Sequence, residues 1–434
     1  MKAYYYEVIR ILKHKNTKII ILLLMLCELG ILLSLHESSR SEDVFEDTGT
    51  WITTSSLFDH NRLSAEDSKV IDNIDEEEVK QADLFKYYKE KKEWNKMLIS
   101  GMDYRQYCAQ IYSFYPALKY EGYFRNKDQL KSIIKEFNFV DIGSYEDYIR
   151  TGVDGASMFQ WALHDVQYFH ELYQKQLTPM TYSQVDSSTV FLQLMRNLLG
   201  LLLPLLVPLL FFYDRTQCKK AGVDKVILSI PSARRKFVRT KVLAQGTIAV
   251  LIVFLPILIA AFIMGLFDHF QNFSYPVFSN AAGINGFSFS EFKIVNYEEL
   301  IPITNYGITA TSFNMQLNPF MEFLPIWQVT LLSASLLILM IFFYVQLNFF
   351  FTRLFQNAYV ALTINLLVIL LLIYLSPQTS MDTYNILNPL TYRDPGLQVM
   401  GTSYYPWSIG MCVMVAYNIG LYILNKLQFK VRWY

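Results

Sequence analysis

Apolar residues gather into six long runs, 17–35, 190–213, 242–267, 323–350, 358–375 and 408–427, separated by polar segments of very unequal length. Within each run the apolar residues are continuous, without the polar face that an amphipathic helix of a soluble domain keeps. At about 1.5 Å per residue, runs of this length are matched to a hydrocarbon core of roughly 30 Å. The pattern predicts an all-α polytopic membrane protein with six transmembrane helices. A proline, Pro325, stands near the start of the fourth run, where it costs little. Basic residues precede the first run, but Leu33-Ser34-Leu35-His36-Glu37 offers no small-x-small cleavage site, so this run reads as a retained anchor.

The polar segments predict the remaining organisation. Residues 1–16 fit an interfacial amphipathic helix, with Tyr5, Val8, Ile9 and Leu12 on one face and Glu7, Arg10, Lys13 and His14 towards the other. Residues 37–189 are long enough for a separate extracellular domain, read as mainly α. Its acidic, Ser-rich start leads to a long charged helix over 72–100, and further helices are expected at 129–137 and 158–176. A second extracellular loop, 268–322, carries β-branched residues at 294–309 that suggest short strands. A third, 376–407, contains an apolar stretch at 384–390 that reads as a re-entrant helix ended by Pro389. Residues 428–434 form a short tail.

Charge then orients the chain. The whole sequence is formally neutral, yet the charges separate by segment. The N-terminus, 214–241, 351–357 and the C-terminal tail, counted with Lys18 and Lys426, hold 18 Lys/Arg against three Asp/Glu. Segment 37–189 holds 17 Lys/Arg against 27 Asp/Glu. Short loops rich in Lys and Arg stay on the cytoplasmic side, which puts both termini inside a cell membrane, read as bacterial, and 37–189 outside. Of the four cysteines, at 27, 108, 218 and 412, only Cys108 falls in an outside segment, so the outer domain has no internal disulfide.

Several chemistries are not encoded. No GxxxxGK[ST] loop, HExxH, GxSxG or paired-cysteine site occurs, so no catalytic residue, bound nucleotide or metal is expected in this chain. His170 and Glu171 point about 100° apart on a helix and lack further ligands. The basic residues sit where topology demands them, which argues against a nucleic-acid partner. Apart from Lys18 and Lys426 at the run edges, two charges stand within the apolar runs. Glu28 has to face protein or water and is a candidate for a translocation path, with Asn388 and Pro389 of the re-entrant element. Arg196 lies near the outer end of the second run, where it can snorkel.

The loop 214–241 is the most specific feature. Nine of its residues are Lys or Arg. Gly222 breaks the exit from the second run, Val223, Val226 and Ile227 form an apolar stripe at helical spacing, and Leu228-Ser229-Ile230-Pro231-Ser232-Ala233-Arg234-Arg235 leads to Lys241. A short helix with one apolar face exposed to cytosol calls for a partner protein to cover it.

This order resembles the ABC-2 type permeases of ATP-binding-cassette exporters, whose loop after the second span runs from a glycine through a short apolar stretch to Leu-Ser-x-Pro, an arginine, and a lysine opening the next span. Gly222, Leu228, Ser229, Pro231, Ser232, Arg234 or Arg235, and Lys241 occupy those places. Lys219 and Lys220 stand where the family usually has an acid, and Thr240-Lys241 where it often has Gly-Lys. The resemblance implies a coupling helix, including Val226, that docks on cytoplasmic ABC ATPase subunits. ATP and magnesium would be held there and not in this chain. It also implies a second permease, the same or a sibling, and export of an amphipathic substrate such as a peptide, antimicrobial, lipid or drug. The competing expectation is a membrane-anchored peptide sensor or immunity protein that binds through its outer domain without transport.

Overall fold

Inside a membrane a chain has to pair its own backbone N–H and C=O groups, so the apolar runs fold as helices. The structure is a computed structural model and describes residues 2–13, 15–41, 65–113, 132, 135–136, 166–180, 184–220, 231–280, 321–355, 357–376, 386–400 and 407–431. In chain order its elements are α1 (Lys2–Lys13), α2 (Lys15–Ser41), α3 (Ala65–Glu90), α4 (Trp94–Ser113), α5 (Val190–Leu194), a π turn (Met195–Leu199), α6 (Gly200–Lys220) and α7 (Pro231–Asp268). Strands β1 (Pro276–Asn280) and β2 (Met321–Pro325) follow, then α8 (Ile326–Leu354), α9 (Ala358–Tyr374), a 3-10 turn (Pro389–Tyr392), α10 (Pro395–Met400) and α11 (Trp407–Val431).

Four stretches are long and apolar enough to cross a membrane: Thr17–Ser38 in α2, Lys236–Asp268 in α7, Ile326–Leu354 as α8, and Trp407–Gln428 in α11. They mark a mostly helical, membrane-embedded protein. The other two expected spans are shorter, for different reasons. In the second, α5, the π turn and α6 follow one another without leaving helical dihedrals, but the hydrogen-bond register changes at 195–199 and Pro204 and Pro208 stand inside α6. Its apolar part is reduced to Leu202–Phe212. Helix α9 has 17 residues, a rise of about 26 Å.

Side-chain amides hold α8, α9 and α11 together. Asn365 on α9 donates to Asn348 of α8 at 3.2 Å, and Gln346 of α8 donates to Asn418 of α11 at 2.7 Å. Asn418 returns a bond to the Leu339 carbonyl at 3.0 Å, and Asn425 bonds the Gln346 carbonyl at 3.1 Å. Such bonds contribute only about 0.6 kcal/mol each in membranes, but a slipped register would leave buried amides unpaired. Between α7 and α8, Gly246 lets the Phe342 ring lie directly on the α7 backbone.

The start of the second apolar run is tied to the end of α7. Asp186 accepts from the backbone N–H groups of Ser188 and Thr189 and from Asn272 Nδ2 at 2.6 Å. Asp268 accepts from the Ser187 N–H at 2.5 Å and its hydroxyl at 2.9 Å. Beyond this junction β1 pairs antiparallel with β2, Val277 opposite Leu324, and so brings residues 280 and 321 together. The expected strands at 294–309 lie outside the described residues. The paired strands flank that stretch, and β2 takes Phe323 and Pro325 out of the expected fourth helix, which begins at Ile326 with Pro325 as an extended N-cap.

Within the inserted segment the long helix expected over 72–100 is two helices. The chain reverses at Lys91–Glu93, with Lys92 at φ 56°, and α3 packs along α4. A helical stretch at 166–174 covers them. Phe85, Met97, Met102, Phe169 and Leu172 form the core, and a Cβ on Gly101 would come within 2.9 Å of Phe169 and 3.0 Å of Phe85. Of the helix expected at 129–137 only residues 132, 135 and 136 are described, and they are helical. The same 166–174 stretch docks on the β hairpin. Tyr168 and Tyr275 share a hydroxyl hydrogen bond of 2.5 Å, Tyr275 Oη accepts the Met180 N–H at 3.2 Å, and Phe323 lies 6.1 Å from the Tyr168 ring. Burial pushes the Tyr275 phenol up to about 12, so it stays neutral.

Two measurements check this packing. Tyr275→Phe strands the Met180 amide and the Tyr168 hydroxyl, and should lower stability by about 1–3 kcal/mol in thermal unfolding of the detergent-solubilised protein. Burial, with repulsion from Glu77, pushes the Asp103 carboxyl up to about 6. The folded state therefore holds that proton to higher pH than the unfolded chain, and stability falls as pH rises from about 4 to 6. Asp103→Asn should raise the melting temperature at pH 7.5 by the equivalent of about 1 kcal/mol after solvent screening, and leave it nearly unchanged at pH 4.

Candidate functional site

Pro231 opens α7, and its missing N–H falls where a helix has no partner for it. From there the helix runs unbroken through the basic residues into the apolar span. Lys236 and Arg239 are exposed, while Phe237, Val238 and Val242 are buried against Phe349 of α8. The Arg353 guanidinium lies 5.4 Å from the rings of both Phe237 and Phe349 and covers this cluster as a cation–π cap.

One turn further on, Lys241 is buried and donates to Glu7 Oε1 of α1. Arg10 holds the same carboxylate through Nη2 at 2.7 Å and Nε at 3.1 Å. Tyr4, on the same face of α1, donates its hydroxyl to Thr247 Oγ1 of α7 at 2.9 Å. Burial works to raise the Glu7 pKa, but the Arg10 hydrogen bond and the Lys241 charge outweigh it and hold the carboxyl below its ordinary value. The packed face is Tyr4, Glu7 and Ile11, with Ile11 fully buried, while Tyr5 and Tyr6 are 67% and 71% exposed. A desolvated lysine on α7 needs a counter-ion, and the Glu7 face supplies one.

The other candidate residues fall in separate places. Gly222, Val226 and Leu228, with the expected apolar stripe, lie outside the described residues. Pro231, Arg234 and Arg235 form the first turns of α7. Lys241 is drawn into the protein. Pro389 is the first residue of the 3-10 turn Pro389–Tyr392, and residues 386–387 just before Asn388 are also 3-10, while 384–385 of the expected re-entrant helix lie outside the described residues. Asn388 caps that turn by accepting the Leu390 N–H at 3.0 Å and donates to the Leu372 carbonyl at the end of α9 at 2.8 Å. Its amide therefore has a fold-holding role. Elements around Glu28 and around Asn388 have different neighbours: α2 packs on α1, α5, the π turn, α6 and α7, whereas the 3-10 turn packs on α9 and α11. Glu28 is buried, 3% exposed, and Arg196 belongs to the π turn, its side chain outside the described ones. His170 bonds Glu136 at 3.0 Å, while Glu171 turns to Lys175 at 2.9 Å, so the two neighbours do not form a pair. Among the described residues no group of three His, Cys, Asp or Glu is placed to hold a metal.

Sequence reasoning missed the Glu7–Arg10–Lys241 cluster and the Ser187–Asp268 junction. The available signal was a lysine at the edge of an apolar run whose helical continuation would bury it. No family model, curated protein or solved structure matches the chain.

Glu7→Gln leaves Lys241 buried beside a neutral amide and should cost about 3 kcal/mol of stability, while Glu7→Gln with Lys241→Met should recover most of it. Because the Glu7 pKa is depressed, its contribution is present above about pH 4.5, the ordinary carboxylate value, and lost on acidification below that. Thermal melts of the three proteins between pH 3.5 and 7.5 check both statements: the difference between wild type and Glu7→Gln should shrink at the acid end.

Proposed function

We propose that this chain is the membrane-spanning permease subunit of an ATP-binding-cassette exporter. In this reading α5 with α6, and α9, also cross, which makes six spans. Both termini and residues 214–241 face the bacterial cytoplasm and the inserted segment 37–189 faces out. Two permeases, identical or sibling, pair with cytoplasmic ATPase subunits, and the cargo is amphipathic. The chain carries no nucleotide itself.

The observation that supports the reading best is the continuity of α7. Pro231, the residue that matches the family's loop, is the first residue of a helix that ends at Asp268 on the opposite side of the span. Lys241 and Thr247 clamp α1 to that helix, so a push delivered at 222–236 is transmitted to α1 and α7 together. At the far end Asp268 grips Ser187, which connects α7 to the second run. The exposed aromatic face of α1, Tyr5 and Tyr6, suits an interfacial position in lipid headgroups.

The test is co-purification from native membranes. Wild type should carry a P-loop ATPase, and Leu228→Asp combined with Pro231→Asp should lose it while remaining monodisperse. Retention of the ATPase and of ATP-dependent efflux by that variant would overturn the coupling assignment and favour the sensor alternative. Labelling of Cys218 from outside intact cells by an impermeant maleimide would overturn the orientation.

A further inference from the structure

Where the α3–α4 reversal meets the end of the 166–174 helix, the inserted segment carries an open cleft of about 350 Å³. Trp94 and Leu177 line it and are half-buried, packed on the core at their inner sides. Asn95, Gln176 and Thr178 stand exposed around them and supply neutral hydrogen-bonding groups. Glu93 and Lys96 complete the rim as an ion pair at 2.6 Å, and the ammonium also lies 5.4 Å from the Tyr88 ring. Because the two charges neutralise each other, the cleft presents no net charge to an ion. Its open, polar rim does not exclude water well enough to hold an alkyl chain.

Both walls are helix ends closed by main-chain bonds. On one side the Glu93 N–H bonds the Tyr88 carbonyl, and the Met97 N–H bonds the Glu93 carbonyl, each at 3.0 Å. On the other the Gln176 N–H bonds the Tyr173 carbonyl at 3.1 Å, and the Leu177 N–H bonds the Leu172 carbonyl at 3.0 Å. The cleft is therefore preformed.

A second observation falls on the same place. Gln176 has φ 52°, a left-handed position that normally takes glycine after a helix end because a Cβ is strained there. The chain keeps a long side chain in spite of that strain, and the side chain lines the cleft. Strain held where glycine would fold more easily points to a side chain retained for a contact.

We propose that this cleft binds a neutral saccharide, with the C–H face of one sugar ring on the Trp94 indole. A sugar ring is apolar on its faces and polar around its edge, and an indole is a broad, rigid platform for such a face. The ring hydroxyls both donate and accept, which suits the Asn95 and Gln176 amides, the Thr178 hydroxyl and the Glu93 carboxylate. An extended peptide adds to a free sheet edge, and this cleft is built from helix ends. That the sugar is an extracellular one rests on the outward orientation of the inserted segment; the binding does not.

The experiment applies full-length protein in phosphatidylcholine nanodiscs to an array of neutral mono- to tetrasaccharides, with sialylated glycans and tripeptides as controls. At least one neutral glycan should bind saturably, and saturation-transfer NMR should mark its ring C–H protons. Trp94→Leu should weaken that binding at least about tenfold. Gln176→Gly should weaken it about threefold or more while the melting temperature holds or rises, because the turn loses its strain and the ligand loses a hydrogen bond. A residue that serves only the turn would show the gain in stability alone. No bound neutral glycan, binding of the sialylated or tripeptide probes in its place, or equal affinity in wild type and Gln176→Gly would each overturn the site. Failure of the exporter reading or of its orientation leaves these results unchanged, since binding is read in nanodiscs without an ATPase.

Discussion

A buried lysine paired with a buried glutamate constrains the region where α1, α7 and α8 meet. Lys241 of α7 is desolvated, and Glu7 is brought to it as a counter-ion. That requirement selects which face of α1 packs and leaves Tyr5 and Tyr6 outside. Arg10 completes the carboxylate's hydrogen bonding, which a buried ion pair needs if its Coulomb attraction is to offset desolvation. The Tyr4–Thr247 bond then sets the rotation of α1 about its own axis.

Polar contacts elsewhere follow the same logic. The amide ladder from Asn365 through Gln346 to Asn425 sits where helices α8, α9 and α11 could otherwise slide past one another on apolar surface. Asp186 and Asp268 cap the neighbouring ends of two helical runs, and the β hairpin just beyond receives the inserted segment through Tyr168 and Tyr275. In each place a few directional bonds specify an arrangement that apolar packing alone would leave degenerate.

How much of this was legible differs by element. The long apolar runs were readable because length and continuous hydrophobicity decide membrane helices almost by themselves; α2, α7, α8 and α11 follow directly. The π turn was not: Arg196 and Asn197 interrupt the apolar run, but neither forecasts a change of hydrogen-bond register, which alone distinguishes Met195–Leu199 from a continuous α-helix. The reversal at Lys91–Glu93 was hidden because it carries neither Gly nor Pro, and Lys92 takes a positive φ without a local signal. Strand β2 was absorbed into an apolar run, as Met321–Pro325 is apolar enough to continue α8 and its partner β1 is remote in sequence. At the candidate site, Lys241 was legible as a residue, while its partner was not. The Glu7 contact bridges 234 positions, more than half the chain, and a single sequence does not reveal such a pairing.

Helix α7 has one further property that follows from its length and from Pro256. Its 38 residues span about 57 Å, nearly twice a hydrocarbon core. Pro256 lacks the N–H that would bond the Ile252 carbonyl, which makes that point the softest in the rod. It divides the helix into a stretch of about 37 Å towards Pro231 and one of about 18 Å towards Asp268. Bending of the helix therefore concentrates at Pro256, and the two unequal arms can tilt against each other while each keeps its own hydrogen-bond ladder.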